Sequence, residues 1–329
     1  MESGKVTVIG SYLVGLTLRA DRFPVRGETL IGRDFDQGPG GKGSNQAVQI
    51  ARLGGDVEFV GLVGTDGFGD GAVQLYADEA VRTTYLARTP ERNTGLGFIV
   101  LDAAGDNFII LDLGANALFA PAHVDRAAER IRESQVVIAQ LEIPLATALH
   151  GLSLGHRAGA ISILNPAPAA PVPPEAFADI DIVTPNHGEL RILLGRRPDD
   201  PVDSKDLCAE LLRLGVRTIV LTQGEQGALI VRADGALHVP SHRVDVVDTT
   251  GAGDAFNGTL ATSLAAGATL EAAVQRAVGA GALACTRLGA QSSIPLRSAV
   301  NAFLQTQPAP SSQQLEVLLQ YCGLPRPTA

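Results

Sequence analysis

The sequence predicts an α/β domain, with a mostly parallel sheet covered by helices on both faces and a small β-sheet beside it. Three observations predict it. Short apolar runs closed by Gly, Thr or Asn recur along the chain, as buried parallel strands do. From about residue 121 these runs alternate with stretches of helical spacing. Two segments, 13–37 and 93–112, are β-rich, and the first alternates apolar and polar residues like strands with one wet face.

The first run, KVTVIG (5–10), reads as a buried strand. LTLRADRFPVRGETLIGRDFDQ (16–37) alternates around Pro24 and Gly27, like half-exposed antiparallel strands. GSNQAVQIARLGG (43–55) has helical spacing through Ala47, Ile50 and Ala51 and stops at glycine. VEFVGLVG (57–64) is a second buried strand, and TGLGFIVLDAAGDNFIILDLGAN (94–116) a hairpin around DAAGDN. QVVIAQLE (135–142), AISILNPAP, DIVTPN (181–186) and RTIVLTQG read as strands. PLATALHGLSLGHR, GELRILLG and DLCAELLRLG read as helices, followed by two apolar ones, GAGDAFNGTLATSLAAG and LEAAVQRAVGAGALACTRLG. No repeat of fixed period is present. The expected body is therefore 1–12, 38–92 and 113–305. Segments 13–37 and 93–112 are expected to join as a small sheet that caps a cleft at the strand ends, where open α/β sheets bind ligands. Residues 306–329 form a Pro-, Gln- and Ser-rich tail with no legible role, in which LEVLLQYC is a candidate short helix.

Composition excludes several function classes. Apolar residues are 45% of the 329, enough for a large core, and the formal net charge is -9. No Lys/Arg block appears, so neither nucleic acid nor an anionic membrane is expected as partner. A phosphate ligand stays compatible, because backbone N–H groups can hold one. Cys208, Cys285 and Cys322 form no CxxC, and an odd count fits reduced thiols in a cytosol. The six histidines are scattered and no HExxH occurs, so a zinc site has no support. MESGKVTVIGSYLVGL lacks the parts of a signal peptide, and no apolar run of about 18 residues suggests a membrane span. The expected location is cytoplasmic.

The chemistry gathers at DTTGAGDAFNG (248–258), where a glycine turn runs into a helix. Its first N–H groups have no partner within the helix and carry partial positive charge. Gly251, Ala252 and Gly253 are thus placed to hold an anion, with Asp254 beside it to take a proton from an attacking nucleophile. Taken alone, the same Asp also suits a helix cap. GGKGSN (40–45) has neither the GxxxxGK[ST] nor the GxGxxG spacing of other phosphate loops.

DTTGAGDAFNG resembles the C-terminal signature of the ribokinase-like carbohydrate kinases, and GPGGKGSNQAVQIARLG (38–54) their N-terminal one. QLE (140–142), NPAPA (165–169), TPNHGE (184–189), LTQGEQG (221–227) and TRLGAQSSIP (286–295) are similar to the family as well. The resemblance implies a ribokinase-like three-layer sandwich with a β lid. It implies an ATP-dependent kinase acting on a primary sugar hydroxyl, with Asp254 as general base and Gly251, Ala252 and Gly253 as anion hole. It assigns Gly41, Lys42, Asn45 and Glu142 to the sugar. Asn186 and Glu189 would order the Mg²⁺-bound phosphates, and Thr222, Gly224, Gly227, Gly253 and Val278 would line the nucleotide site. Asp248, Thr250, Ala284, Arg287, Gly289 and Ser293 match a monovalent-cation loop, so activation by K⁺ is expected. Relatives often dimerise through the lid, which implies a homodimer that covers the apolar face of that sheet.

One segment departs from the family pattern. Relatives acting on ribose carry Asn and Asp in a GSxNxD-like segment, whereas here GSYLVGL puts Leu13 and Gly15 at those positions. A charge-assisted hydrogen bond is worth about 1.5–3 kcal/mol, so its loss weakens ribose binding by about one to two orders of magnitude. The wall is more apolar and roomier, compatible with another pentose, a ketohexose or a nucleoside. A non-catalytic binding regulator is the reading from another class, and intact Asp254, glycines and the Asn186/Glu189 pair argue against it.

Overall fold

The computed structural model describes residues 4–104 and 106–307. The candidate helix LEVLLQYC and Cys322 lie outside the described residues. The chain begins with β1 (Lys5–Ile9), β2 (Leu13–Arg19), β3 (Arg33–Gly40), α1 (Lys42–Arg52), β4 (Asp56–Gly64) and α2 (Gly67–Asp78). Next come β5 (Leu86–Thr89), β6 (Gly95–Leu101), β7 (Asn107–Asp112), α3 (Pro121–Asp125), α4 (Ala128–Glu133), β8 (Val136–Ala139), α5 (Leu145–Arg157) and β9 (Ile161–Leu164). β10 (Ile182–Val183), α6 (His187–Leu193), α7 (Ser204–Arg213), β11 (Thr218–Thr222), β12 (Ala228–Arg232) and β13 (Gly235–Val239) follow. The described chain closes with α8 (Ala252–Ala265), α9 (Leu270–Ala284), α10 (Ala290–Ser293) and α11 (Arg297–Thr306).

The large sheet has nine strands in the order β13-β12-β11-β10-β9-β8-β1-β4-β5. It is parallel except at β11–β12 and β12–β13. Alternate strand residues feed opposite layers, because successive side chains point to opposite faces. Val137 and Ala139 of β8 join Leu152 of α5, Phe177, Leu190 of α6 and Leu207 of α7. Val136 and Ile138 join Ile50 of α1, Leu260 of α8 and Val274 of α9. The result is an α/β three-layer sandwich. Fully burying one such side chain is worth about 1.5–3 kcal/mol, so both helical layers are held chiefly by this apolar contact. The strand order reverses around β1, which has β4 on one side and β8 on the other. Ligands of open α/β sheets bind at the carboxyl ends of strands at such a reversal.

The small sheet has the order β3-β2-β6-β7. Its outer pairs are antiparallel and its central pair, β2 with β6, is parallel. Leu13 is in register with Gly40 and Gly95, and Gly15 with Gly38 and Gly97. Phe108, Ile109, Ile110 and Leu111 of β7 are exposed.

Two strand readings differ from the structure in extent. β8 stops at Ala139, and Gln140, Leu141 and Glu142 leave the sheet. Leu141 and Glu142 lie in a bend, where Leu141 N–H donates to Ala167 O at 3.0 Å. β10 is two residues long, since Pro185 has no N–H to extend a ladder. The β12–β13 hairpin and α2 escaped the sequence reading altogether.

Candidate active site

The site is assembled where β1, β8 and β9 end and α1 and α8 begin. Gly41 turns the chain into α1 with φ of 90°. A Cβ there would lie 2.8 Å from Leu13 N and 2.9 Å from Ser11 O, so only glycine fits this turn. The turn aims Lys42 N–H at Glu142 Oε2, 2.7 Å away, and the Ser11 hydroxyl donates to the same oxygen at 2.5 Å. Glu142 is buried, and that burial pushes its carboxyl above the usual range, although Ser11 and Lys42 pull the other way.

Asp254 lies in the first turn of α8 and is 7% exposed. Asn45 Nδ2 donates to its Oδ2 at 2.8 Å, and Gln46 Nε2 to its Oδ1 at 3.0 Å. Burial raises this carboxyl, and the Lys42 ammonium and the two amides oppose the rise. For Lys42 the balance is reversed. Burial would lower its amine, but Asp254, Glu142 and Glu189 outweigh burial and hold it above its ordinary value. One cation thus sits among three carboxyl groups contributed by three parts of the chain.

Directly before Asp254, Gly251 caps α8 in the left-handed region, at φ of 80°. Ala252 N–H donates to Thr249 O at 3.2 Å. The N–H groups of Gly251 and Gly253 have no hydrogen-bond partner among the described residues, and Gly253 is exposed. Asn257 Nδ2 donates to Gly253 O at 2.8 Å, and Thr184 Oγ1 to Asn257 Oδ1 at 2.7 Å, which ties this turn to the end of β10.

Asn186 and Glu189 cap α6 reciprocally. Glu189 N–H donates to Asn186 Oδ1 at 2.9 Å and Asn186 N–H to Glu189 Oε2 at 2.8 Å. Burial raises the Glu189 carboxyl, and the fields of Lys42 and Asp254 both reach it. Thr222 pairs alongside Asn186 and donates its N–H to Pro185 O at 2.8 Å. The loop after it closes through Gln223 N–H to Gly227 O at 2.8 Å, with Gly224 exposed at its tip. Val278 of α9 is packed into the apolar layer with Val220 and Ile230 and does not join the Asp254 cluster.

The segment 248–250 is stitched to 285–293. Asp248 Oδ1 accepts from Thr250 N–H at 2.9 Å and Thr250 Oγ1 at 2.7 Å, and its Oδ2 from Gly289 N–H at 2.9 Å. Burial would raise the Asp248 carboxyl, but these hydrogen bonds prevail and keep it below the usual range. Ser293 Oγ donates to Thr250 O at 3.3 Å. Ala284 O accepts from Arg287 N–H at 3.2 Å, and Arg287 is exposed.

The profile of the pfkB family carbohydrate kinases matches residues 3–297. The chain belongs to that family. The kinase is 38% identical over 304 residues to a deoxyribokinase from Salmonella typhi, a match covering 91% of this chain and 98% of the relative. The crystal structure of ribokinase from Thermotoga maritima superposes with a TM-score of 0.85 at 36% identity, over 92% of this chain and 100% of that one. Arabidopsis thaliana ribokinase complexed with ribose and ATP superposes with a TM-score of 0.86 at 29% identity, over 93% and 100% of the two chains. The chain is an ATP-dependent carbohydrate kinase.

The sequence reading of the kinase missed Ser11, Gln46, Gln140, Asn165 and Asn257. A signal for Gln46 existed: Lys42, Asn45, Gln46 and Gln49 share one face of α1, at i, i+3, i+4 and i+7. Polar residues on one face of a buried helix need polar partners. A cavity of about 290 Å³ lies elsewhere, lined by Lys5, Asp56, Glu58, Arg82 and Arg130 among others. Within that lining Arg130 pairs with Asp56 at 3.0 Å and Lys5 with Glu133 at 2.6 Å. No described helix is long and apolar enough to cross a membrane.

Proposed function

We propose that the kinase transfers the γ-phosphate of ATP to the primary hydroxyl of a pentose, with Asp254 as the general base. The observation carrying this reading is the junction itself: a buried carboxylate adjoins a helix start whose Gly251 and Gly253 N–H groups are unpartnered. A hydroxyl beside Asp254 passes its proton to the carboxylate as its oxygen attacks phosphorus, and the bond from phosphorus to the bridging oxygen of ADP breaks. The N–H groups of Gly251 and Gly253, with Ala252 between them, face the charge that builds on the phosphoryl oxygens. Lys42 offsets the repulsion between that charge and the nearby carboxylates.

Gly41, Lys42, Asn45 and Glu142 are assigned to the sugar. Asn45 Oδ1 is buried without a partner, an acceptor suited to a substrate hydroxyl. Thr222, Gly224, Gly227 and Val278 are assigned to the nucleotide. The oxygen donors of Asn186 and Glu189 fit Mg²⁺ held through water, and the ion would supply charge neutralisation at the phosphates. The carbonyls and carboxylate around Asp248, Thr250, Ala284, Arg287, Gly289 and Ser293 fit K⁺, which would firm the turn before α8. The small sheet, 13–37 and 93–112, acts as a lid, and its exposed β7 face pairs with a second copy. A cytosolic setting belongs to the same reading.

The substrate assigned first is 2-deoxyribose, ahead of ribose. Leu13 and Gly15 lie in rows completed by glycines on both neighbouring strands, so this part of the sheet offers Leu13 and almost no polar side chain. A sugar with one hydroxyl fewer loses less against such a wall. The deoxyribokinase relative supports the same choice. The test is a screen of pentoses, hexoses and nucleosides with and without K⁺, beside Asp254→Asn. The expected result is the highest kcat/KM on 2-deoxyribose, stimulation by K⁺, and a loss of at least about a hundredfold in the variant with ATP binding kept. Full turnover by Asp254→Asn would refute the base assignment.

A further inference from the structure

We propose that Gln46 is the positioning residue for Asp254, and that Gln140 and Asn165 set the Gln46 amide in turn. This rests on the reading of Asp254 as base. Gln46 is 0% exposed, Gln140 1% and Asn165 6%, so water does not compete for their hydrogen bonds. Gln46 Nε2 donates at 3.0 Å both to Asp254 Oδ1 and to Asn165 Oδ1. Gln46 Oε1 accepts from Gln140 Nε2 at 2.5 Å. The donors therefore run in one direction, Gln140 to Gln46 to Asp254. A reversed Gln46 amide would set oxygen against the carboxylate and against Asn165 Oδ1, and nitrogen against nitrogen at Gln140. Gln140 is seated against Gly10, where any Cβ would overlap its amide oxygen.

The four residues come from α1, the end of β8, the end of β9 and α8, and so from both sides of the strand-order reversal. Each Asp254 oxygen has its own amide donor, which fixes the carboxylate plane while leaving a lone pair for a hydroxyl. Asn45 is also claimed by the sugar. Gln46 has both donors and its acceptor engaged within the network, so its place is behind the base. The charged groups facing Asp254 are Lys42, Glu142 and Glu189. Only Lys42 favours the ionised base, which leaves the Gln46 hydrogen bond to help hold it ionised near neutral pH.

The test uses Gln46→Met and Gln46→Glu, with Gln140→Met as a milder variant should the first two fail to fold. The readouts are the pH profile of kcat, KM for the sugar, and Tm. A hydrogen bond to a charged group corresponds to about one to two pKa units. Gln46→Met is expected to move the acid limb of kcat up by about that much, with a fall of about ten- to hundredfold at neutral pH and sugar KM within about threefold. Gln46→Glu puts a second carboxyl against Asp254 and is expected to move the limb further. Gln140→Met should move it the same way by less. A lower Tm with an unmoved limb in the folded variants would overturn the proposal and leave Gln46 a structural residue. Asp254→Asn separates the layers. If it keeps full turnover, the base reading falls and this inference with it. If it is inactive while the Gln46 variants keep the wild-type profile, this inference alone falls.

Discussion

Replacing Gly253 with Ala asks whether folding or a ligand requires glycine at the second position of α8. A Cβ built there meets nothing within 4 Å, and the residue sits in a regular helical turn. Folding should therefore gain from the change, by up to about 1 kcal/mol of helix propensity. Over about 300 residues that raises Tm by about 1–2 °C. The new methyl nevertheless lies at the helix start where the phosphoryl group is proposed to sit. Losing one preorganised anion donor costs about 10²–10³ in rate, and displacing the anion from the junction forfeits at least that much. Gly251→Ala provides the contrast. There φ is 80° and a Cβ would lie 2.6 Å from Ala290 O. A left-handed residue costs about 1–2 kcal/mol, and shifting a packed backbone about 1–3 more. That variant should lose about 3–8 °C in Tm as well as activity. The assay pairs ADP release with thermal unfolding. A Gly253→Ala protein with wild-type kcat and wild-type KM for ATP would refute the placement of the phosphoryl group.

Three further outcomes follow from the same geometry. Leu13→Asn restores a polar group to the small-sheet wall and should raise the kcat/KM ratio of ribose to 2-deoxyribose about tenfold or more, read from initial rates on both sugars. Glu142 has a folded pKa raised by burial above its ordinary value of 4.5, so its contribution to stability is fully present below the unfolded pKa and is lost as pH rises through the folded one. Glu142→Gln should then raise Tm at pH 8, with a gain that shrinks as pH falls toward about 4.5, while sugar KM worsens; thermal melts across pH check both. Phe108→Asp, at a side chain 55% exposed on β7, should convert a dimer into monomers in sedimentation at micromolar concentration, and a wild type that sediments as a monomer would dismiss the lid interface.

The fold was legible where periodicity was strong. The apolar runs of β1, β4 and β11 and the glycine-stopped α1 carry their own signals. Of the paired segments in the small sheet, residues 94–116 announce a hairpin by their two apolar runs. The β12–β13 hairpin did carry a local signal that the sequence reading passed over, since Asp234-Gly235 lies between the apolar runs ALIVR and ALHV. The extent of β10 depended on pairing partners and on Pro185, not on local apolarity. Within the site, Asp254 and the Gly41 turn stood out because glycine and carboxylate patterns are local. Gln46, Gln140 and Asn165 stood apart in sequence. Their meaning arises only when β8, β9, α1 and α8 converge, which no linear pattern encodes. The reciprocal cap between Asn186 and Glu189 illustrates the same limit, since spacing alone permits both a cap and a phosphate-side role.

The most direct measurement is a crystal structure of the kinase with Mg²⁺, sugar and a non-hydrolysable ATP analogue. The account predicts the terminal phosphate within about 3.2 Å of the Gly251 and Gly253 nitrogens, with the sugar's primary hydroxyl in hydrogen-bond reach of Asp254. A terminal phosphate bound away from the start of α8, or a hydroxyl directed at another residue, would contradict it.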